Sequence, residues 1–373
     1  MKKNKEHRFD YTLFAVVMIL LTIGVVMIYS ASSFMAQVKW NQSELFFKKQ
    51  LFWFVLAIAT ILIVSKINYT HWRYMAWPVM LISLVLLAVV LTQREVNEAH
   101  RWIHVFGYSL QPAELFKYAL LLFTALYIAK DGSMVNSIKK IAWPWGAFVA
   151  VGIGLILLEP DLSMALLMVA SLAVIFFMAG LKWRYVLAST VIPVLIVAVM
   201  VFGFGYKSGR ITAFLDNQSV VSTNGYQEYQ SLMAIGSGEL FGKGIGRGSA
   251  KLFHLPESHT DFIISNVAEE GGFLLVTICL SLYLIIIIRG LRIASLARDR
   301  FAFFLAFGIV TMLSINIIIN VGVATGLLPT TGMTLPFLSY GGSSILCSSF
   351  GIGVLLNISR HQNRVSKLFE KRK

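Results

Sequence analysis

The chain has 373 residues, of which 57% are hydrophobic and only 13% charged, whereas a soluble domain carries about one-quarter charged residues. An ordinary soluble enzyme is therefore excluded, and two cysteines inside apolar runs, Cys279 and Cys347, imply no disulfide framework. A net charge of +14 would suggest nucleic acid in a soluble protein, so it has to be weighed against positive charge sorted to one side of a membrane.

Apolar stretches of about 17–25 residues cross a ~30 Å hydrocarbon core as helices. Ten are present, near 11–31, 49–67, 75–92, 112–129, 141–158, 162–180, 185–205, 264–288, 301–325 and 340–358. They predict an all-α polytopic membrane protein of about ten transmembrane helices, one continuous membrane domain over residues 1–373. The first stretch is too long for a cleavable signal peptide and no small-residue cleavage site follows it, so it is expected to remain as an anchor. With both termini cytoplasmic, the inner segments hold 21 Lys and Arg against five acids, and the outer segments hold ten of each. That asymmetry follows the positive-inside rule and leaves no charge excess for nucleic acid. Between spans seven and eight, residues 206–263 form a large extracytoplasmic loop. Structureless loops of that length are uncommon and usually functional; the amphipathic piece Gln227–Ile235 is expected to pack on the membrane face.

Charges inside or beside a span cost roughly 2.5–3.5 kcal/mol each at mid-helix, so they mark functional candidates. Glu114 and Lys117 are three apart at the outer start of the fourth span, on one helix face; a structural salt bridge between helices reads equally well. Glu159 and Asp161 flank Pro160 in an outer turn, where polar residues are expected in any case. Glu269 and Glu270 open the eighth span, and because neighbours on a helix point about 100° apart, one of them at most is expected to face a shared cavity. Asn316 and Asn320 share a face of the ninth span, as interhelical hydrogen-bonding residues do.

After them, Gly326–Ser344 mixes prolines, glycines and hydroxyls that forbid a regular helix. Irregular backbone at this depth is tolerated only where it is buried in protein or lines a wet cavity, so this segment points to a polar cavity. Asp261 sits where the long loop re-enters the membrane, a partly desolvated position that raises a carboxyl's pKa and suits general-base work; a helix N-cap is the competing reading. Two tempting motifs fail: Gly236–Gly244 misses the phosphate-loop pattern at two positions, and His254 and His259 lack a standard zinc spacing.

Asn320, Gly326-Leu327-x-Pro329, Gly332 and Pro336-Phe337-x-Ser339-Tyr340-Gly341-Gly342-Ser343-Ser344 resemble the signature of the SEDS proteins (shape, elongation, division and sporulation). Further matching stretches cover nearly the whole chain: Tyr29–Ser32, Arg101-Trp102, Gln111-Pro112-x-Glu114-x-x-Lys117, Pro160-Asp161, Arg210-Ile211, Gly225–Gln227, Gln230-Ser231, Ala234–Gly238 and Leu255–Phe262. Thr330–Pro336 and Leu355–Arg360 look more like the division member than the elongation member. The chain departs from the pattern at Glu239, where glycine is usual, at Glu159, where glutamine is common, and at Leu162-Ser163 and Asn97–His100.

The resemblance implies a peptidoglycan glycosyltransferase that polymerises lipid II on the outer face of the cytoplasmic membrane, with a class B penicillin-binding protein transpeptidase and other divisome membrane proteins as partners. It implies Asp261 as the catalytic base or as a metal-holding carboxylate, and a divalent cation, magnesium or manganese. Substrate-binding candidates are Glu114, Lys117, Arg101, Arg210, Lys243, Asp161, His259, Glu269, Ser339 and Ser343. The buried polar residues alone are also compatible with a lipid II flippase, or with a scaffold that recruits division proteins.

Overall fold

The computed structural model describes residues 9–93, 101–105, 108–130, 135, 137–185, 187, 223–249 and 259–361. Nine of the ten predicted spans are helical among them, and the seventh, near 185–205, lies almost wholly outside the described residues. Among the described residues, eight helices are long and apolar enough to cross a membrane. They are α1 (Tyr11–Trp40), α2 (Leu45–Lys66), α3 (Tyr69–Val90), α4 (Pro112–Lys130), the Lys139–Leu158 stretch ending in α5 (Ala147–Leu158), α8 (Ile263–Ser295), α9 (Arg300–Ala324) and α10 (Gly342–Arg360). Between them lie the shorter apolar α6 (Leu162–Met178) and α7 (Thr223–Ser237). The segment before α4 contains a hairpin that apolar periodicity did not reveal, β1 (Ile103–Val105) antiparallel to β2 (Tyr108–Leu110), with Ile103 opposite Leu110.

Burial sorts the helices. Most of α4, α9 and α10 is enclosed by protein (78%, 67% and 83% of the apolar window), whereas the same measure is 22% for α2 and α8. The first three form the centre of the bundle, and α2 packs on α10 while α3 packs on α4 around it. Exposed apolar side chains such as Val55, Ile63, Leu284 and Ile288 face outward as acyl-chain contacts, the arrangement a bilayer solvent selects.

Caps and kinks set the lengths. Asp10 accepts from Leu13 N (3.0 Å) to start α1, and its second oxygen takes Arg289 of α8 at 2.6 Å, locking the first and eighth helices together at that end. The α1 helix runs past the predicted Ala31 until Asn41, whose φ of 55° ends it in the left-handed conformation that asparagine tolerates. At 33 residues, α8 spans about 50 Å at 1.5 Å per residue; it changes direction at Gly272 (φ 67°), a conformation open to glycine.

The predicted amphipathic piece of the long loop is α7, and it packs on α8 and α9. Ser231 is the polar end of that contact, donating to Ala324 O at 2.7 Å and lying 2.6 Å from Ser265 Oγ.

A candidate active site on the break between two helices

The segment between α9 and α10 is irregular, with most of residues 333–339 buried, and its backbone groups are met by side chains. Asn320 Nδ2 donates to Met333 O (2.7 Å), Tyr283 Oη to Pro336 O (2.5 Å), and Ser339 Oγ accepts from Leu335 N (2.9 Å). Gly24 of α1 lies so close that an added Cβ would sit 2.6 Å from Phe337 O. This is the condition under which broken backbone survives inside a membrane protein.

The same segment fixes Asp261. Three successive carbonyls before α8 are bound by it and by α9: His259 O accepts from Tyr340 N (2.9 Å), Thr260 O from Ser339 Oγ (2.6 Å) and Asp261 O from Asn320 Nδ2 of α9 (3.0 Å). The Asp261 side chain is part-exposed and lies beside Gly332, where a built Cβ would come within 3.7 Å of Oδ2. The N-cap of α8 is Phe262 and no side chain caps it, so the N-cap reading of Asp261 does not hold. His259 is buried, its ring 4.9 Å from that of Phe46 and 5.8 Å from that of Tyr340. Of the two asparagines, Asn320 holds loop backbone rather than bridging helices, while Asn316 is buried on the same helix. Because the hydroxyl of Ser339 serves two protein partners, Ser339→Ala is expected to cost about 1–3 kcal/mol of stability, read as a lower unfolding temperature in detergent.

A second group of predicted residues meets at the start of α4. Ser343 Oγ accepts from Gln111 N (2.9 Å) and donates to Ser109 O (3.2 Å), joining α10 to the hairpin. Gln111 Nε2 reaches Asp161 Oδ2 at 3.4 Å, Asp161 Oδ1 caps α6 at Met164 N (3.2 Å), and Arg101 Nη1 lies 3.7 Å from Asp161 Oδ2. Glu114 and Lys117 form the expected pair, Nζ to Oε2 2.7 Å, with 2% of the lysine and 4% of the glutamate side chain exposed. Gln111, which joins Asp161 to Ser343, was not a predicted site residue; its place directly before the helix-starting Pro112 was the available signal.

Lys243 and Glu269 belong to a third group. Lys243 Nζ pairs with Glu269 Oε1 (2.7 Å), which also accepts from Ser249 N (2.8 Å). Glu270 accepts from Gly246 N (2.9 Å) and from Ser30 Oγ of α1 (2.7 Å). One at most was expected to face a shared cavity; both glutamates are buried, and the 243–249 loop gives partners to both. The loop folds over both carboxylates, so side chains about 100° apart are both engaged. Just after the stretch 236–244 that failed as a phosphate loop, the N–H groups of Gly246, Gly248 and Ser249 do bind anions, but these anions are the chain's own carboxylates. Arg210, His254 and Glu257 lie outside the described residues.

No group of three or more His, Cys, Asp or Glu that could hold a metal exists among the described residues. That donor set does not fit an all-protein cage. It fits a cation held through one carboxylate, Asp261, and otherwise by substrate phosphates, the usual habit of magnesium.

The N-termini of α4, α6, α8 and α10 converge here, tied by the Gln111–Ser343, Gln111–Asp161 and His259–Tyr340 bonds. Helix N-termini carry partial positive charge and favour anions. Fold and site together define a polytopic membrane protein with a buried polar centre at one end of its bundle. The chain matches the family described as cell cycle protein, FtsW/RodA/SpoVE, over residues 10–364, and belongs to it. It is 39% identical over 354 residues to a probable peptidoglycan glycosyltransferase FtsW of Trichlorobacter lovleyi, covering 94% of this chain and 93% of the relative. It is 37% identical over 355 residues to stage V sporulation protein E of Bacillus subtilis, covering 94% and 97%. Among solved structures it resembles a chain from work on coordination of polymerization and crosslinking by a peptidoglycan synthase complex (TM-score 0.79, 29% identity, 95% and 99% covered). It also resembles the rod shape determining protein RodA of Thermus thermophilus (TM-score 0.70, 27% identity, 95% and 98% covered).

Proposed function

We propose that the chain is a peptidoglycan glycosyltransferase that polymerises lipid II during septal wall synthesis, with Asp261 as its base. Membership of the family and relatives named for this activity support the reaction class. The observation that carries the site is the clamp on three successive carbonyls, which presents the Asp261 carboxyl where four helix N-termini meet. The chain works as a single membrane domain over residues 1–373, with its termini cytoplasmic and the loop at 206–263, and hence the reaction, on the outer face; the charge asymmetry of its loops supports this orientation.

In the reaction, a sugar hydroxyl attacks the anomeric carbon of a second lipid II, and the bond from that carbon to undecaprenyl pyrophosphate breaks as the glycosidic bond forms. Asp261 takes the hydroxyl proton, and the leaving pyrophosphate carries away the bonding pair. Arg101 and Lys117, set among helix N-termini that favour the developing negative charge, and Arg210 are the cationic groups proposed to bind it. Asp261 is also the carboxylate that would hold a divalent cation, which would supply further neutralisation of phosphate charge. Asp161 positions Arg101, Ser343 ties α10 to the hairpin, and Ser339 with His259, its ring tilted against Phe46, fixes the backbone of the base. Lys243 and Glu269 brace the outer loop. The partner is a class B penicillin-binding protein transpeptidase, a reading supported by the solved neighbour's origin in a synthase complex, together with other divisome membrane proteins.

The deciding experiment supplies purified protein in liposomes with lipid II, with and without that transpeptidase. Glycan polymer is expected. Movement of lipid II across the bilayer with no polymer would make the chain a flippase instead.

A further inference from the structure

One buried group beside this centre has no part in the reaction above. Glu159 follows α5, donating its N–H to Leu155 O at 3.0 Å. Its side chain has no solvent exposure, and neither carboxyl oxygen has a hydrogen-bond partner among the described residues. Arg101 reaches the same turn in three ways: Nε donates to Glu159 O (3.1 Å), Nη2 to Pro160 O, and Nη1 faces Asp161 Oδ2 at 3.7 Å. Three of the five guanidinium donors thus go to two carbonyls and toward Asp161, and none serves the Glu159 carboxyl, while the rest stay available to a substrate anion. An ionised carboxylate enclosed without a donor is strongly disfavoured, whereas the neutral acid is tolerated.

We propose that Glu159 is a positioning residue that must carry a proton for Arg101 to stay docked on this turn and on Asp161. The proposal rests on the assignment of Arg101 to the anionic part of the substrate. Ionised, Glu159 places a second carboxylate against one guanidinium and draws it from Asp161, which also holds Gln111 and through it Ser343. The charges facing Glu159 among the described residues are Asp161 and Arg101. Helix α6 adds no charge beyond its cap Asp161, α3 adds none in the half toward Val90, and α4 offers the Glu114–Lys117 pair, already neutralised. Burial first and the Asp161 charge second push the carboxyl up from 4.5 to about 8, with Arg101 opposing them. A raised folded value means the contribution to stability is complete below the unfolded value and is lost as pH rises through about 8.

The test uses the full chain in lipid nanodiscs and has two readouts. Infrared difference spectra should show a neutral carboxyl band at pH 7 that Glu159→Gln removes and that disappears as pH rises through about 8. Asp161→Asn removes a neighbouring negative charge and should move the band's midpoint down, so the result does not depend on one variant folding. Polymerisation by wild type should fall toward tenfold per pH unit above the midpoint, while Glu159→Gln matches wild type at neutral pH and keeps its activity in alkali. Absence of the band, an unmoved midpoint in Asp161→Asn, or the same alkaline limb in both proteins would overturn the proposal. If neither protein makes polymer at any pH, the catalytic reading fails while the infrared band still decides the state of Glu159.

Discussion

Asp261→Asn is expected to reduce polymerisation by about 10²–10⁴-fold, the usual contribution of a positioned general base, and to leave the fold intact. The asparagine side chain has the same shape, and the bonds that hold this backbone use the carbonyls of His259, Thr260 and Asp261, which the substitution keeps. What disappears is the proton acceptor, together with the carboxylate oxygen through which a cation would be held. Polymer length on gels and an unfolding curve, taken on one preparation, check both halves of the expectation. Asn320→Ala is the contrasting variant. It removes the donor to Asp261 O and Met333 O while leaving the carboxyl, so stability and rate should fall together. Normal polymer from stably folded Asp261→Asn would take Asp261 out of the chemistry.

Span positions were legible because a 20-residue apolar run has few physical options other than a transmembrane helix. The need for a buried, side-chain-served segment at 326–344 was legible for a related reason, since its prolines and glycines sit at a depth where bare backbone is not tolerated. Partners were less accessible. Tyr283 lies within an apolar run and nothing in its neighbours announces that its hydroxyl holds Pro336 O, 53 residues away. The pairing of Lys243 with Glu269 was not legible, because it depends on how loop 243–249 folds back over α8. The hairpin at 103–110 was missed because three-residue strands are too short to show a two-residue period. Glu159 stood out in the sequence only as a departure from the family pattern, and its burial comes from the closure of α5 onto α6.

The Glu114–Lys117 pair was the even-odds case in the sequence, and a double substitution separates its two readings. At 2.7 Å, with 2% and 4% of the side chains exposed, each charge depends on the other. Lys117→Met strands a buried carboxylate and Glu114→Gln strands a buried ammonium, so each single change should cost about 3–5 kcal/mol. Replacing both removes the stranded charge, and buried pairs exchanged for neutral residues of similar volume are often neutral in stability. The Glu114→Gln/Lys117→Met protein is therefore expected to unfold near the wild-type temperature. If the pair merely joins helices, that protein also polymerises lipid II. If Lys117 meets the pyrophosphate, as its place on α4 among converging helix N-termini favours, restored stability comes without restored activity, and the loss appears in lipid II binding at low salt as well as in rate. Unfolding temperature, binding and polymer yield from the three variants place the pair in the reaction or confine it to the fold.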